Sequence, residues 1–393
     1  MRILVAPDKF KGVQSAREIA AHMAAGLEDE LPDATIEIAP IADGGEGTAE
    51  VMCAALAGEW RTGQAHDPIG RAIFARYVWL YETTTVVMEM SEAAGLHRLQ
   101  PNERDVEWAN TFGVGQMILE AARQGASEII VGLGGSATND GGFGMARALG
   151  FRFLDSQGQE LSGRVTDLIY LARILPPRDV EVLVASTYSS TSRHMQSPLQ
   201  RVRVVAAADV RNPLLKKNGA TAVFARQKGA TDEQMEMLEN AMARLAEVVT
   251  NDLGVDHRKE AGAGAAGGLG FGLASFCRAS LRSGFEVVAS AIDLKSKVKW
   301  ADIVVTGEGS LDEQTLEGKA PGELARMARK AGKPVYAIVG RTENGLDVRD
   351  LFDGIYAVAR PELSDEENIA NATELLREGA RQLGRTLKQP LPG

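Results

Sequence analysis

The sequence predicts an α/β protein of two α/β domains, a Rossmann-like parallel-sheet domain built from both chain ends and a second, mixed α/β domain inserted between them. Three observations predict it. Short apolar runs rich in β-branched residues alternate with helix-spaced segments near both termini; the middle carries antiparallel-type runs; and glycine-rich loops follow several strand-like runs, as where parallel strands hand over to helices.

From the N-terminus, "RILVAP" reads as a strand and "SAREIAAHMAAGL" as a helix opened by a capping box of Ser15 and Glu18. "TIEIAPI" and "GTAEVMCAAL" form a second βα unit around the loop "ADGGEG". Two strands are too few to stand alone. The C-terminal third supplies the rest: "ADIVVTGEG", a helix near "APGELARMARKAG", "PVYAIVG", "GIYAVA", and one long amphipathic helix from about Ser364 to Leu383. Between them lie the antiparallel run "AIFARYVWLYETTTVVMEM", a βα step at "EIIVGLGG", and helices near 114–124 and 232–250. The expected boundaries are 1–65 with 285–393 for the first domain and 66–284 for the inserted one. "STYSSTS" (186–192) reads as an exposed loop.

Composition narrows the function. A chain of 393 residues with 45% apolar and 24% charged residues can bury a sizeable core and has the length of roughly two or three domains. A net charge of -10 with no basic patch argues against nucleic acid as a partner. Cys53 and Cys277 are too few for a disulfide framework, and the N-terminus lacks a signal-peptide core, so a cytoplasmic protein is expected. The longest uncharged stretch, 261–277, is glycine-rich and shorter than the roughly 20 residues a membrane span needs.

Chemistry concentrates in four glycine-rich loops: "ADGGEGT" (42–48), "GLGGSATNDGGFG" (132–144), "AGAGAAGGLGFG" (261–272) and "TGEGSLDEQTLEGK" (306–319). Glycines let backbone N–H groups turn toward an anion, and phosphate is the expected guest. Asp43, Glu46, Asp140, Glu308 and Asp312 add carboxylates to these loops, with Lys11 and Lys319 beside or within them. Carboxylates for a metal and lysines for charge are what phosphoryl transfer requires. Helix capping is the competing role for Asp43 and Asp140, a solvated helix-start charge that for Lys319, and for Glu46 a structural role is the expected one.

Other motifs fail on context. "GAGAAG" follows the charged "GVDHRKEA", which cannot be the buried strand a dinucleotide fold needs, so an NAD-dependent hydroxy-acid oxidoreductase loses its main support. No P-loop, protein-kinase signature, zinc spacing or nucleophile elbow occurs.

Five ordered motifs, "APDKFKG" (6–12), "ADGGEGT", "GLGGSATNDGG", "GAAGGLG" (264–270) and "TGEGSLDEQTLEGKAP" (306–321), make the chain resemble the bacterial type of glycerate kinase over nearly its whole length. The resemblance implies an ATP- and Mg²⁺-dependent kinase that phosphorylates D-glycerate at the 2-hydroxyl, with its active site in a cleft between two α/β domains. A homo-oligomer is one assembly this allows. The chain departs from the family pattern before "DVRNPL" (209–214), where "VEVLVAS" precedes some twenty extra residues and "VRVVAAADV" completes the strand.

Roles follow from chemistry. Asp43 is the chosen base for the attacking hydroxyl, with Lys11 and Lys319 as catalytic cations. Asp8, Gly44, Gly45, Arg71, Gly134, Gly135, Ser136, Thr138, Asn139, Gly267 and Gly268 are expected to hold substrate or phosphate, and Asp140 and Asp312 a metal. A galactokinase-type enzyme shares only the "GLGGSAT" run, and a non-catalytic sensor of sugar acids or nucleotides is the remaining alternative.

Overall fold

The computed structural model describes residues 1–10, 12–177, 201–313, 315, 318–343, 348 and 350–388. Lys11 and the segment 178–200, which holds "VEVLVAS" and "STYSSTS", lie outside the described residues. In chain order the strands are β1 (Arg2–Val5), β2 (Thr35–Ile38), β3 (Glu59–His66), β4 (Ala72–Leu80), β5 (Thr85–Glu89), β6 (Glu128–Gly132), β7 (Arg152–Leu154), β8 (Arg173–Leu175), β9 (Arg203–Ala208), β10 (Ser280–Ser283), β11 (Ile303–Thr306), β12 (Ser310–Leu311), β13 (Val335–Val339), β14 (Arg341–Thr342) and β15 (Gly354–Ala357).

The first unit comprises Met1–Asp43, Glu50–Leu56 and Gly284–Gly393. Its sheet runs β15-β13-β11-β1-β2, and every pairing is parallel. Both chain ends are needed to make it. Ile3, Leu4 and Val5 of β1 pair with Ile303, Val304 and Val305 of β11, runs of β-branched and leucine side chains that suit strands buried on both faces. One face packs Ile3, Val5, Ile19, Met23 and Leu27 with Leu376, Ala380 and Leu383. The helix Ala16–Glu30 begins with the expected capping box, Ser15 accepting from Glu18 N.

The expected long C-terminal helix is two helices, Asp365–Ala370 and Ala372–Leu387. Asn371 sits between them at φ -97°, ψ 5°, and its side-chain amide donates to the Glu367 carbonyl, giving the first helix a local hydrogen bond that ends it.

The second unit comprises Gly44–Ala49 and Ala57–Ser283. Its sheet runs β10-β9-β6-β5-β4-β3, antiparallel across β3, β4 and β5 and parallel from β5 to β10. The 65/66 boundary falls at the end of β3, which pairs with β4 over all eight residues and so sits in the second sheet. Its polar composition, "EWRTGQAH", is that of an edge strand. The long helix Asp232–Leu253 opens with a Thr231–Gln234 capping box and buries Leu238, Ala241, Met242, Leu245 and Val249, the three-to-four spacing of an inward helical face. β9 coincides with the strand read in "VRVVAAADV".

In the first unit the helix Ala16–Glu30 meets the C-terminal helix so closely that a Cβ on Gly26 would lie 2.3 Å from the Arg377 carbonyl oxygen. Gly26→Ala should therefore destabilise the protein by about 1–3 kcal/mol, although the same change in an uncrowded helix stabilises by up to about 1 kcal/mol. A urea melt reads the sign; a higher midpoint would mean the two helices are not packed this tightly.

Candidate active site

In the first unit, the chain leaves β1 toward β2 on one side, while the β11, β13, β15 succession runs to the other. The strand order thus reverses between β1 and β11, the place where open parallel sheets bind ligands beyond their carboxyl ends. Two acids emerge there. Asp8 follows β1 and Glu308 follows β11, and the loops are tied by Asp8 N donating to the Gly307 carbonyl (2.8 Å) and the Thr306 hydroxyl donating to the Ala6 carbonyl (2.9 Å). Gly307 has no room for a side chain, since its Cβ would fall 2.1 Å from the Ile338 carbonyl oxygen. After β2 the chain runs beside the same loop, Ile41 N bonding the Pro7 carbonyl, and delivers Asp43.

These carboxylates act on one another. Burial pushes Asp8 well above the usual carboxylate range, and the charges of Asp43 and Glu308 add to the shift, against the Lys9 N–H that donates to its Oδ1 at 2.7 Å. Glu308 is pushed up to about 7, chiefly by burial. The Thr315 hydroxyl, which donates to Glu308 Oε1 at 2.7 Å, and Lys319 pull it down, while Asp312 and Asp43 raise it. Lys319 Nζ donates to both oxygens of Asp312, at 3.0 and 3.1 Å, and stands 3.9 Å from Glu308 Oε2. Asp8, Asp43, Asp312 and Lys319 are thus gathered with Glu308, a loop acid to which the sequence reading gave no role.

The second unit gathers the other glycine loops. Glu89, at the end of β5, accepts from Gly47 N (2.9 Å) and Ala49 N (3.0 Å), and so holds the "GGEGT" turn. Gly134 lies against the same turn: its Cβ would meet Gly45 Cα at 2.6 Å, and one on Gly132 would meet the Gly44 carbonyl at 2.6 Å. Beyond it, Ser136 Oγ accepts from Thr138 N at 3.1 Å, closing a tight turn. Among the described residues, the backbone N–H groups of Gly134, Gly135 and Ser136 donate to no protein acceptor.

Farther along the loop, side chains turn inward. Thr138, Asn139 and Asp140 are fully buried. Asp140 accepts from Thr111 N, the Thr111 hydroxyl and Gly144 N on Oδ2, and from Gly142 N on Oδ1. Burial pushes its carboxyl up and these donors pull it back. Both oxygens are committed to the protein, so Asp140, expected as a metal ligand, has the geometry of a tie that shapes the loop. Asn139 donates to the Thr221 hydroxyl at 3.0 Å, while its Oδ1 is buried without a partner, as is Thr48 Oγ1. Gly267 and Gly268 back the loop: a Cβ on Gly267 would fall 1.9 Å from the Thr138 carbonyl, and Gly141 N bonds the Gly267 carbonyl at 3.0 Å. Arg71, expected to meet substrate, has its guanidinium bonded to Asp67, Glu103 and the Arg98 carbonyl.

Sequence reasoning missed Lys228. Its ammonium is buried, 2.6 Å from the Thr138 carbonyl and 3.3 Å from Ser136 Oγ. The surrounding "RQKGATDEQ" reads as a solvated stretch, and only the Lys-Gly pair just before the Thr231 cap hints at a tight turn.

A doubly wound parallel sheet with acids gathered at its strand-order reversal, in one chain with a mixed sheet that carries a glycine-rich loop, defines the α/β class of protein. The comparisons make this specific. A model of the glycerate kinase family matches residues 3–388, and the chain belongs to that family of phosphotransferases. It is 36% identical over 389 residues to the glycerate 2-kinase of Escherichia coli, covering 98% of each chain. It is also 36% identical over 383 residues to the glycerate kinase of Halalkalibacterium halodurans, covering 97% of each. The crystal structure of a protein described as a glycerate kinase 2 from Salmonella typhimurium LT2 superposes with a TM-score of 0.83 at 38% identity, over 99% of this chain and 98% of that one. No described helix is long and apolar enough to cross a membrane.

Two variants test these environments. Asp140→Asn turns an amide toward donors that need an acceptor and should cost about 2 kcal/mol or more in a urea melt. Wild-type stability with an altered Mg²⁺ response would instead return it to the metal. Glu308 keeps its proton more tightly folded than unfolded, so its stabilisation is complete below pH 4.5 and is lost as pH rises through about 7. In metal-free buffer, wild type should lose on the order of 2–3 kcal/mol relative to Glu308→Gln between pH 5 and 8; parallel pH–stability curves would contradict this.

Proposed function

We propose that the chain transfers the γ-phosphoryl group of ATP to the 2-hydroxyl of D-glycerate, giving 2-phosphoglycerate and ADP. The observation that carries this reading is the convergence of Asp8, Asp43 and Glu308 beyond the β1–β11 pair, with Lys319 beside them, in a member of the glycerate kinase family.

A glycerate hydroxyl is a weak nucleophile at neutral pH, and a carboxylate at hydrogen-bond distance orients it and accepts its proton as the new P–O bond forms. Asp43 takes that role, because its negative charge already acts on both neighbouring acids. Lys319, whose ammonium is paired with Asp312, offsets charge on the transferring group. Lys11, three residues after Asp8, is proposed to join it on the strength of the sequence alone.

Mg²⁺ fits the acid cluster in a limited way. Among the described residues no three acids, histidines or cysteines form a ready-made cage, but Mg²⁺ needs only one or two carboxylates when phosphate oxygens and waters complete its shell. Asp8 and Glu308, each raised in part by neighbouring negative charge that a cation would relieve, are the residues to hold it. When bound, Mg²⁺ offsets negative charge on the phosphate oxygens. The free N–H groups of Gly134, Gly135 and Ser136 are proposed to receive an anionic oxygen of a substrate, and Asp140, Gly267 and Gly268 to keep that loop in shape.

The test is ADP release by the purified protein with ATP and Mg²⁺. D-glycerate should support it and L-glycerate should not, and enolase should consume the product directly. A product that enolase accepts only after a mutase would place the phosphate on the 3-hydroxyl. Absence of glycerate-dependent ADP would overturn the reading.

A further inference from the structure

Among the described residues Lys228 forms no ion pair, and the acid whose charge acts on it, Asp140, does so without a hydrogen bond. It ends the short turn Arg226–Lys228, with Gly229 behind it at φ 100°, and its side chain runs into the second unit until only 3% of the residue is exposed. Buried lysines are rare and are usually paired with a carboxylate. Among the described residues none forms an ion pair with this one. Its ammonium carries three N–H donors. One goes to the Thr138 carbonyl and one to Ser136 Oγ, and among the described residues the third has no acceptor. The turn it reaches is the one whose N–H groups at Gly134, Gly135 and Ser136 are also undonated.

We infer that Lys228 is the cation of an oxyanion site completed by the Gly134–Ser136 amides, taking an anionic oxygen of a substrate, either the hydroxy-acid carboxylate or a nucleotide phosphate. Three backbone donors on this turn and the third donor of the buried ammonium beside it meet no acceptor among the described residues, and an oxyanion with several lone pairs offers acceptors to both sets. The hydrogen bonds to Ser136 and Thr138 fix the ammonium against the turn, so little side-chain freedom is lost on binding. The acid whose charge acts on Lys228 is Asp140 from the same loop, and Arg104 packs beside Gly229. The oxygens of Asp140 accept from four other donors, so its charge acts on the ammonium through space and no hydrogen bond joins the two. Burial lowers the Lys228 ammonium to about 7, against the opposing pull of Asp140.

This inference rests on the kinase reading above, and its test separates the two. In wild type, the KM of the substrate whose oxyanion Lys228 holds should rise roughly tenfold or more between pH 6.5 and 8.5 as the ammonium loses its proton, with the other substrate's KM unchanged. In Lys228→Met that KM should already be raised about tenfold or more at pH 6.5 and should no longer change with pH. A D-glycerate effect assigns the carboxylate and an ATP effect the phosphate. If wild type turns over D-glycerate while both KM values stay flat with pH, the role of Lys228 is overturned and the kinase reading stands. If wild type does not use D-glycerate, both fall together. Because the wild-type pH series needs no variant, a misfolded Lys228→Met protein does not protect the inference.

Discussion

The pairing of β1 with β11 is the constraint on which the first unit depends. It joins residues some 300 positions apart in sequence, and Arg2 reinforces it by donating its backbone N–H and guanidinium to Asp302 at the strand entry. That pairing puts the order reversal of the sheet between two strands that continue as Ala6-Pro7-Asp8 and Gly307-Glu308. Backbone hydrogen bonds therefore set the separation of the acids. Long-range parallel pairing is slow to form because loop closure must precede it, so the chemistry of this unit exists only once both chain ends have met.

Close backbone approach is the corresponding device in the second unit. Gly132 and Gly134 admit the "GGEGT" turn, Gly267 admits the Thr138 carbonyl, and Gly272 admits Gly141 and Gly142. At each crossing a methyl group would overlap backbone atoms, which cannot move aside as a flexible side chain can. The glycine richness of these loops thus serves packing first. The exposed exception is Gly135, whose φ of 67° lies in the left-handed region that favours glycine.

The parallel domain from both chain ends, the antiparallel run in the middle and the loops bearing Asp43, Asp140 and Lys319 were legible in the sequence because period, glycine and acid placement are local signals. What was not legible depended on burial. "EWRTGQAH" looks polar because an edge strand buries little, and Asn371 breaks a continuous amphipathic pattern through a local side-chain bond. The surroundings of Asp140 and Lys228 also depend on burial. An acid in a glycine loop suggests a ligand, yet four donors surround this one; a lysine in a polar run suggests solvent, yet this one is buried against Ser136 and Thr138. Glycerate kinase membership was legible from the ordered motifs, and the match over residues 3–388 bears it out.

In the proposed reaction Asp43, one of the carboxylates assembled beyond β1 and β11, accepts the hydroxyl proton during phosphoryl transfer. The most direct measurement is the kcat of Asp43→Asn at saturating D-glycerate, ATP and Mg²⁺, beside a thermal melt of the same protein. The account predicts a loss of about 100-fold or more in kcat with an unchanged melting temperature. A folded variant with wild-type kcat would contradict it and move the base elsewhere.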